Sequence, residues 1–145
     1  QLKLGAIKPV ADNKTLEAII ANRYEVMANF ARSLRQASRA ELARLKDEGV
    51  TAGRLAQMRI ARRWLHRDDD KIPQSVKAQV ADALASSPYL AKLVAMREEL
   101  RLLWTRTNVS AEQLVADLQA WLKKAEESGI AALQEFALRL RAAHA

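Results

Sequence analysis

The sequence predicts an all-α protein, an antiparallel helical bundle of about six helices that begins with one long helix. Gly and Pro account for only seven of the 145 residues, and residues that favour helices, such as Ala, Leu, Arg and Glu, dominate. Apolar residues recur at three- and four-residue steps through most of the chain, as on one face of an α-helix. No stretch has the alternating pattern of a strand, and the connections between helical stretches are short.

The long first helix is predicted over about Asn13 to Glu48, a stretch without Gly or Pro. At about 1.5 Å per residue it would be roughly 50 Å long, and a helix cannot bury its own apolar stripe, so later helices must pack against it. Residues 1–12 are predicted to be a linker, and residues 13–145 a single helical domain. The stripe comprises Leu16, Ile19, Ile20, Met27, Phe30, Leu34, Ala37, Leu42 and Leu45.

The remaining helices are predicted from start and stop signals. Gly49 is expected to end the first helix in a left-handed conformation, and Thr51 to cap a second helix that continues to about Arg67. Ser110 and Gln113 form a capping box of the S-x-x-Q type before the fifth helix. The starts predicted for the third, fourth and sixth helices are Pro73, Ser87-Pro88 and Ile130.

Four large side chains lie on or beside the apolar stripes. Trp64, Trp104 and Trp121 are predicted to be core anchors, with a ligand pocket built from them as the alternative. Arg97 interrupts the Leu-rich stripe of the fourth helix. We expect it at the edge of the stripe, with its stem buried and its charged head in water.

The net charge of +7 is concentrated in one part of the chain. Residues 21–67 contain eleven Lys and Arg against four Asp and Glu, whereas residues 68–145 have a net charge of −1. Rows of guanidinium groups suit nucleic acid, anionic lipid or an acidic protein, and the alternative is a solvated face that only keeps the domain soluble. The rows are Arg59, Arg62, Arg63 and Arg67 on the second helix and Arg32, Arg35 and Arg39 on the first.

Residue types that carry catalysis or bind metals are scarce. The chain has no Cys and only two His, His66 and His144, and it contains no nucleophile motif and no Gly-rich phosphate loop. The three aspartates at 68–70 lack the spacing and the turn Gly of a calcium loop, so an acidic helix start explains them better. We therefore expect no catalytic, cofactor-binding or metal-binding residue in this chain.

Two features bear on where the chain belongs. No apolar run approaches the roughly 20 residues of a membrane span, and the lack of Cys fits a cytosolic setting. The chain begins with Gln1 rather than Met. We therefore expect a piece of a longer protein.

Several segments resemble the soluble C-terminal extension of bacterial membrane fatty-acid desaturases of the acyl-CoA Δ9 type. The resemblance covers roughly residues 13 to 143. The segments in the first half are 20–28 (IANRYEVMA), 30–34 (FARSL) and 62–67 (RRWLHR). Those in the second half are 96–104 (MREELRLLW), 114–121 (LVADLQAW), 125–130 (AEESGI) and 133–141 (LQEFALRLR).

This resemblance implies a non-catalytic accessory domain, held at the cytoplasmic side of the membrane by the rest of the desaturase. The whole desaturase would introduce a double bond into acyl chains with a di-iron centre, O₂ and electrons from a donor protein. The irons belong to His-rich boxes that this chain lacks, so it would hold no cofactor. Its expected partners are the remainder of the desaturase, an anionic membrane surface, an acidic electron-donor protein or a second copy of itself.

From Pro73 onward the chain also resembles a helical region of insertion-sequence DDE-type transposases. A helix started by Ser-Pro, a Leu-rich helix and a turn of the form A-x-x-S-G-I occur there in the same order, and Ala125 to Ile130 match the turn. The resemblance implies the alternative function, a helical segment associated with nucleic acid. No member of the transposase carboxylate triad is assigned, because no matching motif is present.

Overall fold

The computed structural model describes residues 13–145, and every regular element among them is a helix. The prediction of an all-α helical bundle is confirmed, with seven α-helices in these residues rather than about six. The linker predicted for residues 1–12 lies outside the described residues. The helices are α1 (Asn13–Ala21), α2 (Arg23–Asp47), α3 (Ala52–Arg62), α4 (Gln74–Ser86), α5 (Pro88–Thr105), α6 (Ala111–Glu126) and α7 (Ala131–His144).

The single long helix predicted over Asn13 to Glu48 is wrong, because the chain forms two helices, α1 and α2, separated at Asn22. The Asn22 N–H lies 3.0 Å from the carbonyl oxygen of Ile19 and 3.2 Å from that of Ala18, so an i→i+3 bond of 3₁₀ type is added to the α-helical bond there. Arg23 Nη1 donates to the carbonyl oxygen of Ile20 at 3.4 Å. This side-chain bond supplies a partner to a carbonyl at the helix end.

The second predicted helix is also shorter than expected, because α3 ends at Arg62 rather than near Arg67. Tight turns of the i→i+3 type follow, from the Trp64 N–H to the Ala61 carbonyl oxygen at 2.9 Å and from the Arg67 N–H to the Trp64 carbonyl oxygen at 3.1 Å. Leu65, in the same turn, is only 3% exposed. Burial of this side chain favours the turn over a continued helix. A short 3₁₀ helix at Asp69–Lys71 then precedes α4.

Several helix ends match their predicted signals. Gly49 has a φ of +93°, the left-handed conformation expected after α2, and the hydroxyl of Thr51 caps α3. Ser110 Oγ accepts a hydrogen bond from the Gln113 N–H at 3.0 Å. The Gln113 side chain donates to Asp117 Oδ1 at 2.8 Å instead of returning to the helix start, so only half of the predicted capping box forms.

Residues 13–29 and 99–145 form one compact unit, in which α1, α6 and α7 pack against one another. Trp121 is 4% exposed and lies edge-on to Phe136, with 6.0 Å between the ring centroids, so its prediction as a core anchor is confirmed. The helix α7 reaches His144, where Asn22 Nδ2 donates to His144 Nε2 at 3.2 Å. The side chains buried here include those of Leu16, Ile19, Leu118, Leu122 and Leu133.

Residues 30–98 form the other compact unit, in which α3 packs against α4. A buried polar network accompanies its apolar core. Glu41, which is 5% exposed, accepts hydrogen bonds from Arg44 Nε at 2.9 Å and from Ser87 Oγ at 2.7 Å. Ser87 Oγ also accepts from the Leu90 N–H at 3.1 Å, the cap predicted for α5. The core side chains include those of Phe30, Leu34, Leu55, Met58, Leu90 and Leu93.

The described residues group into two compact units. That residues 13–145 form a single domain stays a prediction. Among the helices of the described residues, none combines the length and the hydropathy that a membrane crossing requires.

Candidate anion-binding face

The arginines predicted to meet an anionic partner all lie in the unit of residues 30–98, and we refer to them together as the basic face. Six of the seven are exposed, and Arg62 is half-buried. This unit contains 14 Lys and Arg against 8 Asp and Glu, whereas the described residues of the other unit contain 8 of each. The basic face comprises Arg32, Arg35 and Arg39 on α2, Arg59 and Arg62 in the last turn of α3, Arg63 at its C-cap, and Arg67 beyond it.

Arg62 connects the arginines of α3 with those of α2. Its Nε–H donates to Ser38 Oγ at 2.9 Å, and its Nη2 donates to the carbonyl oxygen of Arg35 at 3.3 Å. Ser38 is 1% exposed, and its hydroxyl donates to the same Arg35 carbonyl at 3.0 Å. These bonds hold the end of α3 against α2 and give the Arg62 guanidinium a defined position.

The surroundings of Arg62 lower the pKa of its guanidinium. Burial is the main cause, and the positive charges of Arg39 and Arg35 add to it. The hydrogen bond from Arg62 to the Arg35 carbonyl oxygen brings the Arg62 guanidinium to the part of α2 that carries Arg35 and Arg39. An anion bound among them would offset the repulsion between the positive charges.

Six arginines of the basic face, all except Arg32, lack acidic partners among residues 13–145. Elsewhere in residues 13–145, carboxylates form ion pairs with Arg44, Arg97, Arg106, Arg139 and Arg141. No carboxylate in that range pairs with Arg35, Arg39, Arg59, Arg62, Arg63 or Arg67. The uncompensated charge of these side chains is the kind that a polyanion neutralises.

His66 lies beside the basic face and is half-buried. Burial is the main cause that lowers the pKa of its imidazole, and the positive charges of Arg35, Arg67 and Arg97 lower it further. Its Nδ1 atom is buried without a hydrogen-bond partner. His66 is therefore neutral near pH 7 and adds no charge to the face.

Two of the three aspartates at 68–70 make ion pairs with basic side chains. Asp68 Oδ1 accepts from Arg97 Nη2 at 2.8 Å, and Asp69 Oδ2 lies 3.4 Å from Lys77 Nζ. The side chain of Arg97 is only 11% exposed, so the prediction that its head lies in water is wrong, because the Asp68 carboxylate takes the place of water. Across residues 13–145, no three His, Asp or Glu side chains are grouped so that they could hold a metal ion.

A cavity of about 220 Å³ lies in the same unit, and Trp64 forms part of its wall. The lining is mainly apolar, from side chains such as Ile72, Val80 and Leu84, with Arg67 among the charged residues. Trp64 is half-buried rather than enclosed, as is Trp104 in the other unit. Of the three tryptophans predicted as core anchors, only Trp121 is fully buried.

Sequence reasoning found the arginines of the basic face but missed the residue that organises them. Ser38 stands three positions after Arg35 on α2, and it is separated from Arg62 by 24 positions in the sequence. No local pattern pairs a helix serine with an arginine at that distance. Their contact depends on the way α3 folds back on α2.

A comparison with protein families bears on the whole helical region. The family model that matches is described as a transposase, of the ISL3 group of DDE transposases, and it covers residues 7–145. No curated protein and no solved structure matches the chain significantly. The transposase resemblance, predicted only from Pro73 onward, thus extends to α1, α2 and the basic face, whereas the desaturase resemblance has no support in these comparisons.

Proposed function

This chain belongs to the ISL3 family of DDE transposases, and from that premise we propose that it is a helical segment of a transposase that associates with nucleic acid. The observation that carries the proposal is the family match over residues 7–145 taken together with the six arginines of the basic face, all except Arg32, that no carboxylate of residues 13–145 pairs with. A transposase acts on DNA, whose backbone is a dense row of negative charges. Arginines without acidic partners are suited to neutralise such a row.

The contacts would be with phosphates rather than with bases. The chain has only two Tyr and two Phe, and neither of the half-buried tryptophans is fully exposed for stacking. Phosphate contacts position a protein on nucleic acid without reading its sequence. The role proposed for this segment is therefore backbone binding, with no catalytic, cofactor-binding or metal-binding residue of its own.

The test measures binding of the purified chain to a short mixed-sequence DNA duplex. Fluorescence anisotropy of the labelled duplex gives the affinity at a series of salt concentrations. Affinity should fall as salt rises, because bound phosphates release their counterions. The triple variant Arg59→Gln, Arg62→Gln, Arg63→Gln should bind more weakly. Its slope of log affinity against log salt should be smaller by about 0.9 for each phosphate that the variant no longer neutralises.

A matched control carries the same loss of charge in the other compact unit. It is the triple variant Lys123→Gln, Lys124→Gln, Arg139→Gln, whose three side chains are exposed. It should bind nearly as the parent does. Equal weakening of both triple variants would show that net charge alone drives the binding and would count against a nucleic-acid role for the basic face.

The desaturase resemblance of segments 20–34 and 62–67 supports a second candidate function, an accessory domain of a membrane desaturase at the cytoplasmic surface. This candidate stays a prediction. Under it, anionic lipid vesicles or an acidic electron-donor protein would occupy the basic face in place of DNA. The nucleotide sequence upstream of the Gln1 codon separates the two candidates, since a desaturase requires apolar spans and His-rich boxes there. Tight binding of DNA at physiological salt, with none to vesicles, would favour the transposase function.

A further inference from the structure

We infer that Arg35, Arg39 and Arg62 form one discrete phosphate-binding site within the basic face, and that its ligand is a phosphodiester group of a nucleic-acid backbone. The inference rests on the proposed function and goes further in one respect. It assigns the binding to three particular guanidinium groups around the anchored Arg62, rather than to a diffuse positive surface.

The first argument is the fixed position of Arg62. Its Nε–H and one Nη2 hydrogen are occupied by Ser38 Oγ and by the Arg35 carbonyl oxygen. A guanidinium has five N–H donors, so three remain, on Nη1 and Nη2 at the end of the side chain. This end is the planar fork that binds two oxygens of a phosphate, and its orientation is set before any ligand arrives.

The second argument is the cost of gathering like charges. Arg35 and Arg39 are four residues apart on α2, one helical turn, and Ser38, which holds Arg62, directly precedes Arg39. Their positive charges contribute to the lowered pKa of Arg62. Within residues 13–145, none of the three is paired with a carboxylate, although a carboxylate neutralises five arginines elsewhere in that range. A bound dianion or phosphodiester removes this repulsion and so gains affinity from it.

The third argument separates Arg62 from the other arginines of the basic face. Arg59 and Arg63 are exposed, and no hydrogen bond or ion pair joins their side chains to any of residues 13–145. Long exposed side chains lose conformational entropy when they bind, whereas an anchored guanidinium has already lost it. Arg62 therefore contributes the directional contact, and the exposed arginines around it contribute attraction without a fixed geometry.

Nucleic acid suits the site better than a membrane surface does. Helices that bind anionic membranes combine basic residues with large apolar side chains that enter the lipid. In residues 30–98 the only large apolar side chain that is strongly exposed is that of Ile60, at 38%. A face with seven arginines and one such residue suits a polar polyanion.

The experiment uses two substitutions that keep the net charge. Ser38→Ala removes the hydroxyl that holds Arg62, and Arg62→Lys keeps the cation but removes the planar fork. The matched control is Arg63→Lys, the same change one position later at a side chain without an anchor. Binding to a short mixed-sequence DNA duplex and to phosphatidylserine vesicles is measured for the full chain and each variant, with thermal melts to confirm folding.

Ser38→Ala and Arg62→Lys should each weaken DNA binding by about tenfold, the size of one charge-assisted contact, whereas Arg63→Lys should change it by about twofold at most. The salt dependence of Ser38→Ala should match that of the parent, because no charge is lost. If Ser38→Ala does not fold, the comparison of Arg62→Lys with Arg63→Lys alone tests whether the discrete site exists.

Equal affinities for Arg62→Lys and Arg63→Lys would overturn the discrete site and leave the proposed function standing. No DNA binding by the parent chain would overturn the proposed function and this inference with it. If Ser38→Ala and Arg62→Lys weaken binding to vesicles but not to DNA, the site binds lipid headgroups and its assignment to nucleic acid is wrong.

Discussion

At the scale of single residues, tertiary contacts change what a side chain does. Arg62 Nε and Ser38 Oγ are 24 positions apart in the chain and 2.9 Å apart in the structure. Arg97 stands in a Leu-rich stripe, where its head was expected in water, yet its side chain is 11% exposed and bound to Asp68. In both cases the partner comes from another helix or turn, so the residues next to the arginine in the sequence do not indicate which partner it has.

Trp121 provides a prediction at this scale. Replacing Trp121 by Ala should lower the free energy of unfolding by about 3–5 kcal/mol, because the removed ring leaves a cavity in a packed core. The ring is 4% exposed and packs edge-on against Phe136. Urea denaturation of the parent and the variant measures the change.

Leu138→Ala is the control for that measurement. Leu138 lies on α7 in the same compact unit but is 68% exposed, so its loss should change the free energy of unfolding by less than about 0.5 kcal/mol. Equal effects of the two substitutions would mean that the Trp121 ring does not belong to the core.

At the scale of helices, the predicted starts agree with the structure better than the predicted ends. The caps at Thr51, Ser87 and Ser110 were found because a cap is a local chemical signal, a hydroxyl that accepts from a nearby N–H. The break at Asn22 and the early end of α3 were missed. The Asn22 N–H shares its bond between the carbonyl oxygens of Ala18 and Ile19, and i→i+3 bonds follow the end of α3. The burial of Leu65 after α3 is a tertiary effect.

The two glycines around the start of α3 give a prediction at the helix scale. Gly53 lies inside α3, and a side-chain carbon added there meets no atom within 4 Å, so Gly53→Ala should raise the free energy of unfolding by up to about 1 kcal/mol. Gly49 has a φ of +93°, so Gly49→Ala should lower it by roughly 1 kcal/mol or more. Denaturant titrations give both values, and changes of the same sign would contradict the conformations described for this loop.

At the scale of the whole molecule, acid should weaken folding through two groups that act in different pH ranges. The pKa of His66 is lowered, chiefly by burial, so the unfolded chain takes up this proton first, and stability falls as the pH drops below the ordinary value of 6.5. The pKa of Glu41 is lowered mainly by its hydrogen bond from Arg44. Its contribution is present above the ordinary value of 4.5 and is lost as the pH falls through the folded value.

Substitution of His66 by Gln should therefore flatten the loss of stability between about pH 7 and pH 5, because the residue that takes up the proton is gone. Unfolding midpoints in urea at several pH values measure this. Glu41→Gln is the comparison variant. It should be less stable than the parent already at neutral pH, since Arg44 and Ser87 lose a carboxylate partner. Its stability should still fall between about pH 7 and pH 5 as in the parent, because His66 is present. An unchanged slope in His66→Gln would assign the effect to other groups.

The sequence by itself determined the all-α class, most helix starts, the buried position of Trp121 and the concentration of positive charge in one segment. These features follow from the composition and from local patterns, namely the spacing of apolar residues and the helix caps, which involve only a few neighbouring residues. Only the tertiary structure decided that Arg62 is anchored by Ser38 and lies near Arg35 and Arg39, and that Arg67 lies outside α3. Such contacts join residues far apart in the chain, and they exist only when helices pack, so no local pattern encodes them.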